Sequence, residues 1–274
     1  METHPKPADL AAYLAAPSIP EQALMSLFDP DTALTIFDIG ACEGEDSIRY
    51  CRRFPSARLF TFEALPANQE LIRVNFVRHA INRAELVPLA LSDRFGTAAF
   101  HVSSGRPKEE FAGKDWNYGN KSSSLLAPAS SVPMHDWIEF RDSIMVPTET
   151  LARFCSARGI RSIDFVHLDV QGAEGLVLAG AGPMLRQVGS LWLEVSEAEV
   201  YAGQPRRLEL MRKLRAAGFA LAFEAMHGTE GDQFWVNLRR PRFWPWLAAR
   251  RGHALFSRAR FRAGAWKHRL LGGR

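Results

Sequence analysis

The stretch Ile36-Phe37-Asp38-Ile39-Gly40-Ala41-Cys42-Glu43-Gly44-Glu45-Asp46 joins an apolar run to a polar one through two glycines. It predicts a buried β-strand, a tight turn and the start of a helix. Glycine suits such a junction because it has no Cβ to keep a ligand away from the backbone. A second apolar run ends in Glu63, and an acidic side chain there suits the hydroxyl groups of a ribose. The two segments predict a site for a nucleoside-containing cofactor.

The glycine spacing distinguishes between nucleotide cofactors. A dinucleotide fingerprint, G-x-G-x-x-G, would require glycines two and five residues after Gly40, where this chain has Cys42 and Glu45. Glu43, Glu45 and Asp46 would also repel a pyrophosphate. The cationic sulfonium of S-adenosyl-L-methionine fits such an acidic turn. That cofactor is therefore predicted, and a dinucleotide-dependent oxidoreductase is the disfavoured alternative.

Length and composition fit one α/β domain with extensions, since the chain has 274 residues of which 47% are hydrophobic. Cys42, Cys51 and Cys155 have neither paired nor metal-ligand spacing, which suits a reducing compartment. The first twenty residues lack the pattern of a signal peptide, and no apolar run approaches about 18 residues. A cytoplasmic enzyme is expected, with peripheral association with the inner membrane surface as an open alternative.

Strand and helix patterns alternate through the body of the chain. Besides the strand that ends at Ile39, strands are predicted at 57–63, 85–91, 162–170, 191–195, 219–224 and 233–238, and helices at 66–80, 173–185 and 208–217. In the helix over 66–80, Leu71, Val74, Val77 and Ile81 lie on one face. The alternation predicts a mostly parallel sheet covered by helices on both faces. Ligands of such folds bind beyond the carboxyl ends of the strands.

The segment 103–147 interrupts this alternation and is rich in glycine, serine, asparagine, aspartate and proline. A connection of that length is unusual unless it is a lid, a binding loop or a disordered insert. Trp116, Tyr118, Trp137 and Phe140 favour order, because disordered segments are poor in aromatic residues. A lid on the cofactor side is predicted, and a disordered surface insert is the alternative.

The strand over 162–170 carries two residues that are candidates for the catalytic base. Side chains alternate along a strand, so Phe165, His167 and Asp169 share a face, with Asp169 at the carboxyl end. His167 or Asp169 could act as a general base. A buried structural role is an equally open interpretation of His167. Asp169 needs a partner or a function, because an acid in an apolar run is costly to bury.

An ordered set of short motifs resembles the FkbM-type S-adenosylmethionine-dependent methyltransferases. The matching segments are 37–41 with Gly44, 62–64 with Pro66 and Asn75, 90–93 with Gly96, 122–125, 150–151, 168–174 with Leu178 and Gly180, Glu194 with 201–204, and 218–219. They cover about residues 34–238. The chain departs from the family pattern in two places. His167 stands where lysine is common, and Ala152 stands where an aspartate is common.

The resemblance implies a class I, Rossmann-like methyltransferase fold with a seven-stranded, mostly parallel sheet flanked by helices. It also implies O-methylation, often of a sugar or polyketide hydroxyl. The predicted cofactor-binding residues are Asp38, Gly40, Ala41, Gly44, Glu63, Ser92 and Asp93, with the last two meeting the adenine. The predicted catalytic residues are Asp169, His167 and Glu194, with Glu197 in reserve. Asp169 and Glu194 could alternatively bind a divalent cation, but two carboxylates are too few for a metal signature, and no metal is predicted.

Three segments are predicted: an N-terminal helical extension over 1–33, a methyltransferase domain over 34–238, and a basic aromatic tail over 239–274. The tail has eleven lysine and arginine residues and no acidic residue, whereas the rest of the chain is net acidic. Its composition suits a membrane surface or a lipid-linked glycan, packing on the body or in an oligomer, or nucleic acid. Nucleic acid is the least favoured partner, because the Asp169 segment lacks the Pro-Pro-aromatic turn of enzymes that stack a flipped base. A non-catalytic protein that binds through its tail is the third class of function.

Overall fold

The computed structural model describes residues 9–106, 117–129 and 137–245. Its strands are β1 (Thr35–Ile39), β2 (Arg58–Phe62), β3 (Ala84–Val87), β4 (Ala90–Leu91), β5 (Gly96–Ser104), β6 (Glu139–Glu149), β7 (Ile163–Leu168), β8 (Val188–Ser196), β9 (Phe219–His227) and β10 (Glu230–Asn237). Its α-helices are α1 (Leu10–Ala15), α2 (Ile19–Met25), α3 (Glu45–Arg53), α4 (Pro66–Arg78), α5 (Leu151–Ala157), α6 (Glu174–Ala181) and α7 (Arg207–Ala217).

Seven strands form the main sheet in the order β3-β2-β1-β7-β8-β10-β9. The pairs from β3 to β8 are parallel, and β10 is antiparallel to both β8 and β9. The chain leaves β1 towards β2 and β3 and later returns to the other side of β1 as β7. The carboxyl ends of β1 and β7 therefore flank the point where the strand order reverses, which is where such sheets bind ligands. This topology confirms the predicted class I methyltransferase fold.

Apolar side chains cover both faces of the sheet. On one face, Phe37 of β1 packs against Phe60 and Phe62 of β2 and against Phe154 of α5, with ring centroids 5.0–5.8 Å apart. On the other face, Phe165 of β7 meets the Tyr50 ring of α3 edge-on. Aromatic pairs of this kind add to the free energy gained by burial. The two cores hold the carboxyl ends of β1, β2 and β7 in a fixed relation to one another.

The helix ends follow the chemistry of their sequences. Gly44 starts α3 with φ +80°, and Gly218 ends α7 with φ +99°, a backbone region in which glycine is not penalised. Glu45 and Asp46 occupy the first turn of α3, where negative charge is favourable to the helix dipole. The helix predicted over 208–217 is observed as α7, with Gly218 directly after its last residue.

The predicted third strand over 85–91 is wrong as a single element. It divides into β3, in the main sheet, and β4, which belongs to a second sheet of order β4-β6-β5. Pro88 lies between the two strands. Proline has no N–H to donate to a strand ladder, so pairing ends at that residue.

The predicted apolar face of the helix over 66–80 is also wrong. Val74 and Val77 are 53% and 84% exposed, whereas Asn68, Gln69 and Asn75 are buried. These amide side chains hydrogen-bond to the turns that follow β1 and β2 and to the insert: Gln69 donates to the Glu63 carbonyl and Asn75 to the Glu43 carbonyl. The inward face of α4 combines these amides with Ile72 and Phe76, which pack in an apolar cluster with Ala41 and Ile48.

The insert over 103–147 is partly regular structure. Its two ends lie in β5 and β6, which pair antiparallel in the second sheet, and residues 119–122 form a 3₁₀ turn. Phe140 packs edge-on against the Tyr201 ring. Residues 107–116, which include Trp116, and residues 130–136 lie outside the described residues. Among the helices that the structure describes, none is long and apolar enough to cross a membrane.

Candidate active site

The glycine turn after β1 is fixed by its two neighbouring strands. The backbone N–H groups of Gly40 and Ala41 both donate to the Phe62 carbonyl at 3.0 Å, and the Asp169 N–H donates to the Ile39 carbonyl at 3.0 Å. A Cβ at Gly40 would lie 1.8 Å from the carbonyl oxygen of Asp169. Gly40 also has φ +87°. Glycine is therefore required at this position by the close approach of the backbone that follows β7.

A first cleft opens beyond the carboxyl ends of β1, β2 and β7 and encloses about 530 Å³ of empty space, part of it open to solvent. One wall is apolar and includes Leu91, Phe100 and Leu125, while Glu63 supplies a carboxylate. A planar apolar group and a hydroxylated one could lie side by side there, as in a nucleoside. This cleft is the part of the described structure that suits the adenosine of a cofactor.

Glu63 lies deep in the first cleft, with 6% of its surface exposed. Its two carboxylate oxygens accept hydrogen bonds from the backbone N–H groups of Cys42, at 2.9 Å, and Leu65, at 2.7 Å. Burial raises the pKa of Glu63 to about 7, although these hydrogen bonds oppose the shift. Each oxygen keeps a further lone pair, so the side chain can still accept hydrogen bonds from hydroxyl groups.

A second cleft adjoins the first and encloses about 910 Å³, part of it open to solvent. Its lining residues are Tyr13, Asp38, Gly40, Ala41, Cys42, Glu45, Asp46, Tyr118, Lys121, His167 and Asp169. Burial and neighbouring acids raise the pKa of Asp46 to about 6 and that of Asp38 well above its usual range. The cluster of acids makes this cleft a favourable place for a cation.

Helix α1 forms one wall of the second cleft. The Tyr13 hydroxyl donates to Asp46 at 2.8 Å, and the Arg49 guanidinium stacks over the Tyr13 ring at 4.5 Å from its centroid. Arg49 also donates to the carbonyls of Tyr13 and Ala16. The N-terminal extension is thereby attached to α3 next to the glycine turn.

His167 and Asp169 line the same cleft, in agreement with the predicted shared face. The His167 Nδ1 lies 3.1 Å from the Tyr50 hydroxyl and 3.7 Å from Asp38. Burial lowers the pKa of His167 to about 4, so the ring is neutral at pH 7. Burial raises the pKa of Asp169, whose carboxylate accepts a 2.7 Å hydrogen bond from Gln171 Nε2. The two candidate bases are therefore unequal, because a neutral imidazole with a pKa of about 4 accepts a proton poorly at neutral pH.

Two of the three described non-glycine residues with positive φ line the first cleft. They are Cys42, with φ +51°, and Gln171, with φ +52°. Left-handed backbone at residues other than glycine is costly and concentrates at functional sites. Both residues follow the carboxyl ends of the strands that flank the crevice.

Four of the predicted site residues do not line either cleft. Gly44 faces Phe76, which lies 3.0 Å from the position that a Cβ would occupy. Ser92 and Asp93 bond to each other, and the neighbouring Leu91 lines the cleft in their place. Glu194 accepts a hydrogen bond from Gln171 Nε2 at 3.2 Å, which links it to the site. Burial and the nearby acids raise its pKa well above the usual range.

The sequence did not indicate the roles of Lys121, Tyr13 or Asn120. Lys121 and Asn120 lie in a polar insert without periodicity, and Tyr13 is 33 residues from its partner Asp46. Gln171 and Tyr201 lie within the segments that resemble the FkbM family, 168–174 and 201–204. That resemblance was the feature of the sequence that could have marked them as site residues. In the part of the chain described here, no group of three or more histidine, cysteine, aspartate or glutamate side chains could hold a metal ion.

The sheet order, the glycine turn and the buried acid after β2 define the class as a Rossmann-like methyltransferase. The family model described as "Methyltransferase FkbM domain" matches residues 38–221. The chain is 33% identical over 218 residues to the 2-O-methyltransferase NoeI of Sinorhizobium fredii, covering 80% of this chain and 84% of that protein. It is 25% identical over 205 residues to the 31-O-demethyl-FK506 methyltransferase FkbM of Streptomyces tacrolimicus, covering 69% and 74%. An O-methyltransferase family protein from Burkholderia thailandensis has a TM-score of 0.44 at 13% identity, covering 83% of this chain and 58% of the other.

The chain belongs to the FkbM methyltransferase family. This membership confirms the resemblance and the predicted S-adenosyl-L-methionine-dependent O-methyltransferase class. The methyltransferase prediction was therefore correct, and the disfavoured dinucleotide-dependent oxidoreductase was not. S-adenosyl-L-methionine is the methyl donor. Gly40 and Glu63 both line the first cleft, so the described site contains the glycine turn and the carboxylate that suit a nucleoside-containing cofactor. The enzyme acts on a small-molecule acceptor.

Proposed function

We propose that the protein methylates a hydroxyl group of a sugar, in a glycan or a related natural product. The observation that carries the proposal is the position of Asp169, which lies half-buried where the two clefts meet. A relative named as a 2-O-methyltransferase supports transfer to oxygen. A hydroxyl has to lose a proton during such a transfer, so a base at the junction of the clefts has a clear task.

The methyl donor supplies a methyl group already activated on its sulfonium. The protein then has to align the acceptor oxygen and remove its proton. In this proposal Glu63 accepts hydrogen bonds from the ribose hydroxyls, and Gly40 and Ala41 leave room beside the turn. Asp38 faces the cationic part of the ligand. We propose an indirect role for Ser92, Asp93 and Gly44: they do not line the clefts, and they support the backbone around the first cleft.

Asp169 is the proposed general base. Its raised pKa brings it closer to neutral pH, the range in which a base is most effective. His167 is proposed to position the polar groups beneath the turn, since its Nδ1 lies 3.1 Å from the Tyr50 hydroxyl and its pKa is low. Holding a base in one geometry is a large part of what an enzyme contributes.

The acceptor is proposed to approach from the side of β8, where polar groups surround Asp169. Gln171 Nε2 donates to Asp169 and to Glu194. The Tyr201 hydroxyl donates to the Ser122 carbonyl at 2.7 Å and lies 3.2 Å from Gln171 Oε1. A site built from such groups favours a polyhydroxylated ligand. It rejects analogues that lack a hydroxyl, because their binding leaves buried polar groups unpaired.

The division into an extension over 1–33, a catalytic domain over 34–238 and a tail over 239–274 is part of the proposal. The start of the tail packs on the body: Arg242 pairs with Asp164 at 2.6 Å, and Phe243, 2% exposed, meets Phe28 edge-on. Residues 246–274 lie outside the described residues. Their basic and aromatic composition supports contact with an anionic membrane surface or a lipid-linked glycan, with oligomer packing as the alternative.

The acceptor can be tested with isotopically labelled S-adenosyl-L-methionine against a panel of free oligosaccharides, sugar nucleotides and lipid-linked glycans. Transfer of the label to a sugar, with the methyl located by mass spectrometry of the hydrolysed product, would support the proposal. The Asp169→Asn variant is the control for background transfer. Transfer only to acceptors without a sugar hydroxyl would reject the proposed acceptor class.

A further inference from the structure

Lys121 lies where the two clefts meet. The clefts share four lining residues, Gly40, Cys42, Lys121 and Asp169. The Lys121 ammonium is 2.8 Å from Glu45 and 3.5 Å from the Cys42 sulfur. The side chain is therefore beside the glycine turn and within reach of a ligand that extends from one cleft into the other.

The second cleft has the charges that a free α-amino acid group requires. Asp38, Glu45, Asp46 and Asp169 can attract an ammonium, whereas a carboxylate needs a cation. Among the described residues that line either cleft, Lys121 is the one lysine or arginine. His167 cannot take this role, because burial keeps its imidazole neutral at pH 7.

The backbone that carries Lys121 is held in place by the surrounding structure. Asn120 Nδ2 donates to Asn68 Oδ1 at 2.7 Å. Ser103 Oγ donates to the Gly119 carbonyl at 2.6 Å and accepts from the Ser122 N–H at 3.1 Å. These contacts fix the 3₁₀ turn against β5 and α4, so the lysine needs little further ordering when a ligand arrives.

We propose that Lys121 binds the α-carboxylate of the methionyl part of the methyl donor, and that the turn over 119–122 is thereby part of the cofactor site. The ammonium has three N–H donors, one of which contacts Glu45, and its charge can act on a ligand carboxylate as well as on Glu45. The inference rests on the methyltransferase function but not on the proposed acceptor, because it concerns binding in the absence of any acceptor.

The test compares two ligands by isothermal titration calorimetry. One is S-adenosylhomocysteine, and the other is its decarboxylated analogue, in which hydrogen replaces the α-carboxylate. The wild type is expected to bind S-adenosylhomocysteine about 10- to 100-fold more tightly, as expected for one charge-assisted hydrogen bond. Lys121→Met is expected to reduce that ratio to below about threefold by weakening S-adenosylhomocysteine alone. Lys213→Met changes a lysine that lies outside both clefts and is expected to leave the ratio unchanged.

Lys121→Met leaves Glu45 without its cation, so the double variant Lys121→Met/Glu45→Gln tests the same ratio without an unpaired buried charge. An unchanged ratio in a folded variant would overturn the inference. So would equal binding of the two ligands by the wild type, a result that needs no variant. A ratio that collapses as expected, in an enzyme that methylates no sugar, would support the role of Lys121 and reject the proposed acceptor.

Discussion

Replacing Glu63 with glutamine should change how cofactor affinity depends on pH. In the free protein Glu63 is buried, and its pKa is raised to about 7. Ribose hydroxyls donate to the charged carboxylate, so binding favours the deprotonated form. Affinity is then expected to rise with pH up to about 7 and to level off above it, because a group whose charged form binds the ligand loses affinity once it is protonated. Glutamine has no such titration.

The expected magnitude follows from the pKa. At pH 6, one unit below it, about one molecule in eleven has a charged Glu63, so affinity should be about tenfold below its plateau, or about 1.4 kcal/mol. At pH 8, Glu63→Gln should weaken binding by about 1–3 kcal/mol, the cost of losing a charged hydrogen-bond partner. Glutamine also offers one acceptor oxygen where the carboxylate has two, so either the Cys42 or the Leu65 N–H loses its acceptor.

Calorimetric titration with S-adenosylhomocysteine between pH 6 and 8 measures the effect. The thioether product is preferred to the sulfonium donor, because its binding responds less to the titration of Asp46 and the other acids of the second cleft. The contribution of Glu63 to the pH dependence of affinity is the difference between the wild-type and Glu63→Gln curves. Both proteins should first be shown to unfold cooperatively. Two parallel curves over this range would refute the assignment of Glu63 to the ribose.

Asp169→Asn is expected to lower kcat about 100- to 10,000-fold, the contribution of a general base, while S-adenosylhomocysteine affinity stays within about threefold; wild-type turnover would exclude Asp169 as the base. His167→Lys restores the residue common in the family and is expected to keep the pH profile of the activity, because His167 is already a weak base; a lost pH-dependent phase would identify His167 as the base. Phe243→Ala is expected to destabilise the fold by about 3–5 kcal/mol, measured by chemical denaturation. Ending the chain after residue 245 is expected to leave the melting temperature unchanged but to remove binding to anionic vesicles in a flotation assay. A truncated protein that floats as well as the full chain would contradict a membrane role for the tail.

The sequence by itself determined the class of the fold and indicated where the candidate site lies. The strand, glycine turn and helix start over 36–46 are encoded locally, because an apolar run, two glycines and an acidic first turn each act over a few residues. Glu63 follows from the same kind of signal at the end of β2. The family resemblance also depends on the order of these segments, and the match of residues 38–221 to the FkbM methyltransferase family confirms it.

Only the tertiary structure decided which side chains meet around the two clefts. Lys121 contacts Glu45 across 76 residues of sequence, and Tyr13 contacts Asp46 across 33. The periodicity of helices and strands extends over far fewer residues, so it cannot predict these contacts. The buried face of α4 could not be predicted from periodicity either, because Asn75 is held inward by a hydrogen bond to the Glu43 carbonyl while Val77 faces solvent. The inward face of this helix is mixed: Ile72 and Phe76 pack in an apolar cluster, and Asn68, Gln69 and Asn75 are buried beside them. Apolar periodicity does not mark the amides, because their hydrogen-bond partners come together only once the sheet has formed.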